Sequence, residues 1–142
     1  MRWIRAISGW LRSLRPPSSL DQRGERAAAR HLKRQGYKII ARRLRLGGGE
    51  LDIVAVDGRT LVFVEVKTRA SHDKGHPAEA VDEAKQRQLT RLGLMYLKRH
   101  DLLGHAARFD VVAITWPDGV RRPTIEHYRS AFEPADTGQM FS

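Results

Sequence analysis

The chain has 142 residues, enough for one domain around one core, and it has no cysteine, which excludes disulfides, a thiolate nucleophile and a cysteine-ligated zinc site. Its net charge of +10 favours a polyanionic partner, either nucleic acid or an anionic membrane. No apolar run approaches the roughly 20 residues needed to cross a bilayer, so the expected place is cytoplasmic.

Residues 1–15, MRWIRAISGWLRSLR, carry no acidic side chain. Ile4, Ile7, Leu11 and Leu14 recur at helical spacing, with Arg2, Arg5, Arg12 and Arg15 beside them. The pattern predicts a short basic amphipathic helix that Pro16-Pro17 ends. Such a helix packs on the domain, or offers one face to a membrane or to nucleic acid. Residues 1–20 thus form an N-terminal extension, residues 21–132 a single domain, and residues 133–142 a tail expected to be disordered.

A helix is expected over Asp21–Gln35, with Gly36 suited to the position just past its end. Tyr37–Leu46 reads as a strand, and Gly47-Gly48-Gly49 as a flexible turn. Leu51–Arg69 reads as a hairpin turning within Asp57–Thr60, where Asp57-Gly58 is a strong turn signal. After a polar loop, Ala70–Pro77, a long helix is expected over Ala78–His100, with Val81, Leu89, Leu92, Met95 and Tyr96 facing the core. Phe109–Trp116 is a further strand, and Val120–Phe132 a short strand or irregular segment. The order α-β-β-β-α-β predicts an α/β or α+β domain.

The hairpin carries charges where a buried sheet should have none. Strand alternation puts Glu50, Asp52, Val54 and Val56 on one face of its first arm. Leu61, Phe63, Glu65 and Lys67 share one face of the second. If Val56 pairs with Leu61, Asp52 stands opposite Glu65; a Gly58-closed two-residue loop would instead set Glu50 there, with Asp52 diagonal. Like charges facing each other destabilise a sheet, and the valines around them worsen the cost. Mg²⁺, which takes oxygen ligands, would compensate, with Mn²⁺ as a substitute. The Lys67 ammonium is a second compensating charge, suited to steady a phosphoryl transition state. Both faces of the hairpin read as covered, since Ile53, Ala55, Val62, Val64 and Val66 make the opposite face apolar too.

Glu25 shares a helical stripe with Ala28, Ala29 and Leu32, and either points at the sheet or complements the helix dipole. Arg43 and Arg45, beside Arg42, share a face if alternation holds, and Lys85 and Arg87 open a basic helical segment; these four are candidate phosphate contacts. His72 and His76 fit no metal spacing, and Asp110 is expected to be structural or an arginine's partner.

Three segments, GERAAARHLKRQGY, GGGELDIVAVDGRTLVFVEVKTR and RFDVVAI, together resemble the YraN-like family, which is similar to Holliday-junction resolvases of the PD-(D/E)XK nuclease superfamily. The likeness spans about Gln22–Ile114, with Leu51 where the superfamily's name has proline. It implies a restriction-endonuclease-like mixed sheet of four to five strands flanked by helices, and Mg²⁺-dependent hydrolysis of phosphodiester bonds in DNA, including branched DNA. Asp52 and Glu65 would hold the metal with the Val66 carbonyl, Lys67 would orient the water, Glu25 would bind a second metal or its water, and Glu50 would be an accessory acid. A homodimer is expected by analogy. The competing readings are a non-catalytic nucleic-acid-binding protein that keeps the fold, and a membrane-associated adaptor that uses residues 1–15.

Overall fold

The computed structural model describes residues 19–71 and 81–134; the amphipathic segment 1–15, His72, His76 and the tail from 135 lie outside them. The elements are α1 (Ser19–Arg34), β1 (Lys38–Leu46), β2 (Gly49–Asp57), β3 (Thr60–Arg69), α2 (Glu83–Arg99), β4 (Ala107–Thr115) and β5 (Thr124–Tyr128). They form one sheet in the order β1-β2-β3-β4-β5. Only the β3–β4 pair is parallel, which requires a crossover, and α2 lies within that connection. The expected mixed sheet between helices is thus found, with five strands.

The element ends differ modestly from the sequence reading. The first helix starts at Ser19 rather than at Asp21, and the second starts at Glu83, where Asp82 accepts the Lys85 N–H at 2.8 Å as N-cap. The glycine run is a two-residue turn at Gly47-Gly48, with Gly49 already in the strand. The hairpin turn places Gly58 at a φ of 64°, open to glycine at little cost, and Val56 sits opposite Leu61.

Two apolar layers hold the sheet. On one face Ala28, Ala29 and Leu32 of α1 pack on Ile53, Ala55, Val62, Val64, Val112 and Ile114. On the other, Leu89, Leu92, Tyr96 and Leu97 of α2 pack on Leu51, Val54, Leu61, Phe63, Phe109 and Val111. Val81 joins that second core and Met95 packs at its margin, as the helical spacing predicts. Alternating apolar residues on both faces explain why β3 is buried through most of its length. No helix among the described residues is long and apolar enough to cross a membrane.

Gly24 sets how closely α1 approaches β3. A Cβ there would stand 2.9 Å from Thr68 Cβ, and that neighbour cannot swing aside as a flexible tip would. Ordinarily a helical glycine-to-alanine change stabilises by about 1 kcal/mol. Here Gly24→Ala is expected to destabilise by about 1–3 kcal/mol through overpacking, read as a lower urea midpoint. A midpoint that rises would mean that α1 does not press on Thr68.

A polar knot fastens β4 to β5. Asp110 is fully buried, with Oδ1 accepting from Arg108 Nε and from the Ser130 N–H, each at 3.0 Å. Its Oδ2 lies 2.8 Å from His127 Nε2. Arg108 Nη2 also reaches Asp57 Oδ2 at 3.0 Å and the Tyr37 hydroxyl at 2.6 Å. Burial alone would raise the Asp110 carboxyl, but the hydrogen bonds from His127, Arg108 and Ser130 outweigh it and hold it below the usual carboxylate range. The structural, arginine-paired role expected for Asp110 is the one observed.

Candidate active site

The carboxylates of the hairpin meet where strand alternation breaks. Leu51 packs with Val54 in the α2-side core, whereas Ile53 and Ala55 pack on the α1 side. Unbroken alternation would group Leu51 with Ile53, so β2 slips by one residue at Asp52. β1 slips in step: Ala41 and Leu44, three apart in sequence, both pack toward α2, and Arg43 between them has a φ of 50°. Arg42 pairs with Ile53 and Leu44 with Leu51, which leaves Arg43 across from Asp52. Two sequence expectations are corrected here. Glu50, Asp52, Val54 and Val56 do not form one unbroken face, and Arg43 and Arg45 do not follow simple alternation. The cause in each strand is the irregular backbone at the Arg43–Asp52 position.

The β2–β3 pairing runs from Asp57↔Thr60 to Ile53↔Val64. Beyond it Asp52 Oδ2 accepts the Val66 N–H at 2.8 Å, so a side chain takes over where backbone pairing ends. Asp52 thereby lies beside Glu65, as the Val56–Leu61 register predicts. Its carboxyl is pushed up to about 8, first by burial and then by the Glu65 charge, with Glu50 adding to the rise and the Val66 N–H opposing it. A proton on Asp52 can be shared with Glu65, which favours the neutral form further.

Glu65 is 5% exposed. Its Oε2 stands 3.6 Å from Lys85 Nζ, and its buried Oε1 has no hydrogen-bond partner. A buried carboxylate oxygen left without a donor is costly. Asp52 can supply one only when protonated. Lys67 alternates with Glu65 on β3, is half-buried, and makes no ion pair among the described residues. The pair and the two lysines therefore lie on the face that α2 covers.

Glu25 comes from α1, on the opposite layer. Its Oε2 accepts from Arg42 Nε at 3.1 Å. Among the described residues, no group of three or more acids, histidines or cysteines is arranged to hold a metal by itself. Glu50 borders Asp52 and pairs across the ladder with Arg45, whose side chain is exposed, as is that of Arg87 on α2.

Two contacts escaped the sequence reading. Lys85, a candidate phosphate contact, stands 3.6 Å from Glu65, and Arg42 pairs with Glu25. The only signal for Lys85 was its place in the first turn after the loop that leaves β3.

The sequence model of the family described as "Uncharacterised protein family UPF0102" matches residues 24–114. The chain belongs to UPF0102. This is the YraN-like family that the three segments resemble, and the match takes in Glu25, Glu50, Asp52, Glu65, Lys67 and Lys85. Among curated UPF0102 proteins, that of Geobacter sulfurreducens is 52% identical over 118 residues, covering 82% of this chain and 90% of its own. That of Rhodopirellula baltica is 51% identical over 118 residues, 81% of this chain and 71% of its own. That of Chlorobaculum tepidum is 44% identical over 126 residues, 86% of this chain and 98% of its own. The UPF0102 match leaves out residues 1–15 and all of β5, so the His127 end of the polar knot lies beyond it.

Proposed function

We propose that this chain is a metal-dependent endonuclease that hydrolyses phosphodiester bonds in DNA, with branched or structured DNA as the preferred form. The observation that carries the reading is the Asp52–Glu65 pair, Asp52 partly and Glu65 fully buried, with Glu65 Oε1 unpartnered. A divalent cation fits that donor set, because it would engage the orphaned oxygen and remove the repulsion that keeps a proton on Asp52. Asp52 and Glu65 would hold it, with the Val66 carbonyl as a further oxygen. Mg²⁺ is commonly bound by one or two carboxylates, and water and substrate phosphate fill the rest, so a third protein acid is not required. When bound, the ion acts as a Lewis acid on the phosphoryl oxygen.

The protein's own side chains do the remainder. Asp52 must lose its proton to serve. Lys67, beside Glu65 and free of an ion pair among the described residues, orients the attacking water and offsets negative charge that grows on the phosphoryl oxygens. Lys85, 3.6 Å from Glu65, neutralises it in the absence of a cation and would turn toward a phosphate once Glu65 is otherwise engaged. Arg43, Arg45 and Arg87 add positive charge along the path of the backbone. The role that resemblance gives Glu25 requires Arg42 to let it go first.

That engagement of Glu25 and Glu65 by cations favours a second reading, a nucleic-acid-binding protein that keeps the fold without cutting. One experiment separates the two. Labelled single-stranded, duplex, flap and four-way-junction DNA is incubated with Mg²⁺, Mn²⁺ or chelator, using wild type, Glu65→Ala and Lys67→Ala. The nuclease reading expects metal-dependent cutting that falls by roughly 10²- to 10⁴-fold in each variant. Binding without cutting on every substrate, equal in all three proteins, would establish the second reading.

A further inference from the structure

A cleft of about 280 Å³ opens between α1 and β1, lined by Gln22, Glu25, Arg26, Arg42 and Arg43. Three guanidiniums meet one carboxylate there. That carboxylate is already taken by Arg42 Nε at 3.1 Å, and Arg26 and Arg43 have no ion-pair partner among the described residues. The cleft therefore presents two uncommitted guanidiniums around a neutralised floor. Such a donor set suits the oxygens of a phosphate group.

The backbone supplies a second, independent observation. Arg43 has a φ of 50°, a conformation that residues other than glycine seldom adopt and that a strand does not need. An outlier of this kind persists where the surroundings hold it, and such outliers gather at ligand-binding positions. Here it interrupts the alternation of β1 while Arg43 lines the cleft. Arg43 also stands across the ladder from Asp52, so their backbones lie one strand, roughly 5 Å, apart.

We propose that this cleft is a phosphate subsite, distinct from Asp52 and Glu65, that grips a phosphate of the nucleic-acid strand. The assignment of nucleic acid as the source rests on the nuclease reading. The grip itself does not need cutting, since it comes from Arg26 and Arg43, with Gln22 as a further donor and Arg42 keeping Glu25 from repelling the anion. Two sources share this chemistry: a terminal phosphate monoester at a strand end, and an internal phosphodiester.

The test uses the full chain in chelator, where cleavage is off, and follows fluorescence anisotropy of a labelled single-stranded oligonucleotide carrying either a 5′-phosphate or a 5′-hydroxyl. Wild type is compared with the double variant Arg26→Ala/Arg43→Gly. Glycine accepts the left-handed backbone at position 43 while the side chain and its guanidinium are removed. Circular dichroism and the urea midpoint establish that the variant is folded. If the monoester is gripped, wild type binds the 5′-phosphate form about tenfold more tightly, and the variant loses that preference. If an internal diester is gripped, both oligonucleotides bind alike, the variant binds each about tenfold more weakly, and its salt dependence is shallower by roughly 0.7 in log–log slope. A variant with wild-type affinity and salt slope overturns the subsite, as does a wild type that binds neither oligonucleotide. Failure of the nuclease reading looks different: binding and its arginine dependence persist while Mg²⁺ elicits no cutting.

Discussion

Asp52→Asn is expected to make the metal-free protein more stable at pH 8.5 by about 2–4 kcal/mol while removing its response to divalent cations. In the folded chain the Asp52 carboxyl is pushed up to about 8, far above its ordinary range, because it is largely withdrawn from solvent and stands beside Glu65. The folded state therefore holds a proton there that the unfolded chain has released, throughout the interval from about pH 4 to about pH 8. Stability falls across that interval and the contribution is lost once the pH passes the folded value. An asparagine keeps the acceptor for the Val66 N–H and never acquires the charge, so its profile lacks this decline. Urea denaturation at pH 4.5 and 8.5 in chelator should show the two proteins close together in acid and well apart in alkali. Adding Mn²⁺ at pH 8.5 should then raise the midpoint of wild type and leave that of the variant unmoved. Parallel pH profiles would mean that Asp52 and Glu65 do not share a buried site, and the metal reading would go with them.

The second large effect lies at the other acid of the sheet. Asp110→Ala should cost about 3–5 kcal/mol, because the Arg108 and His127 side chains lose the buried carboxylate that both engage. The pH dependence runs opposite to that of Asp52. A carboxyl held below its usual range stabilises the fold above the ordinary carboxylate pKa, and that contribution is lost as pH falls through the folded value. Wild type should therefore show an acid-side loss of stability that the variant lacks. A cost below 1 kcal/mol, with an unchanged acid limb, would make the knot ornamental and leave packing alone to fasten β5.

Much of this architecture was legible from the sequence, and the exceptions share a cause. The hairpin could be read because Asp57-Gly58 marks a turn and the valines alternate around it, which left two registers open, each with carboxylates clustered near Glu65; the structure adopts the one with Val56 opposite Leu61. The two helices were legible from their apolar spacing. The slip at Asp52 was not, since a bulge there carries no glycine or proline and the alternation rule passes straight through it. Arg43 is equally silent, because nothing about an arginine announces a left-handed backbone. The partners of Glu25, Glu65 and Asp110 come from distant elements, Arg42 on β1, Lys85 on α2 and His127 on β5. Such contacts are decided by how layers close over one another, and local pattern does not encode them.

β1 forms one border of the sheet, with no strand among the described residues on its outer edge. Its register is broken between Ile39 and Ala41, its backbone turns left-handed at Arg43, and Arg42, Arg43 and Arg45 stand exposed along it. A border so kinked and so cationic is a poor template for a second copy of itself, since the two rows of amides would not align and the guanidiniums would repel. The chain is thereby guarded against strand-by-strand aggregation at this margin.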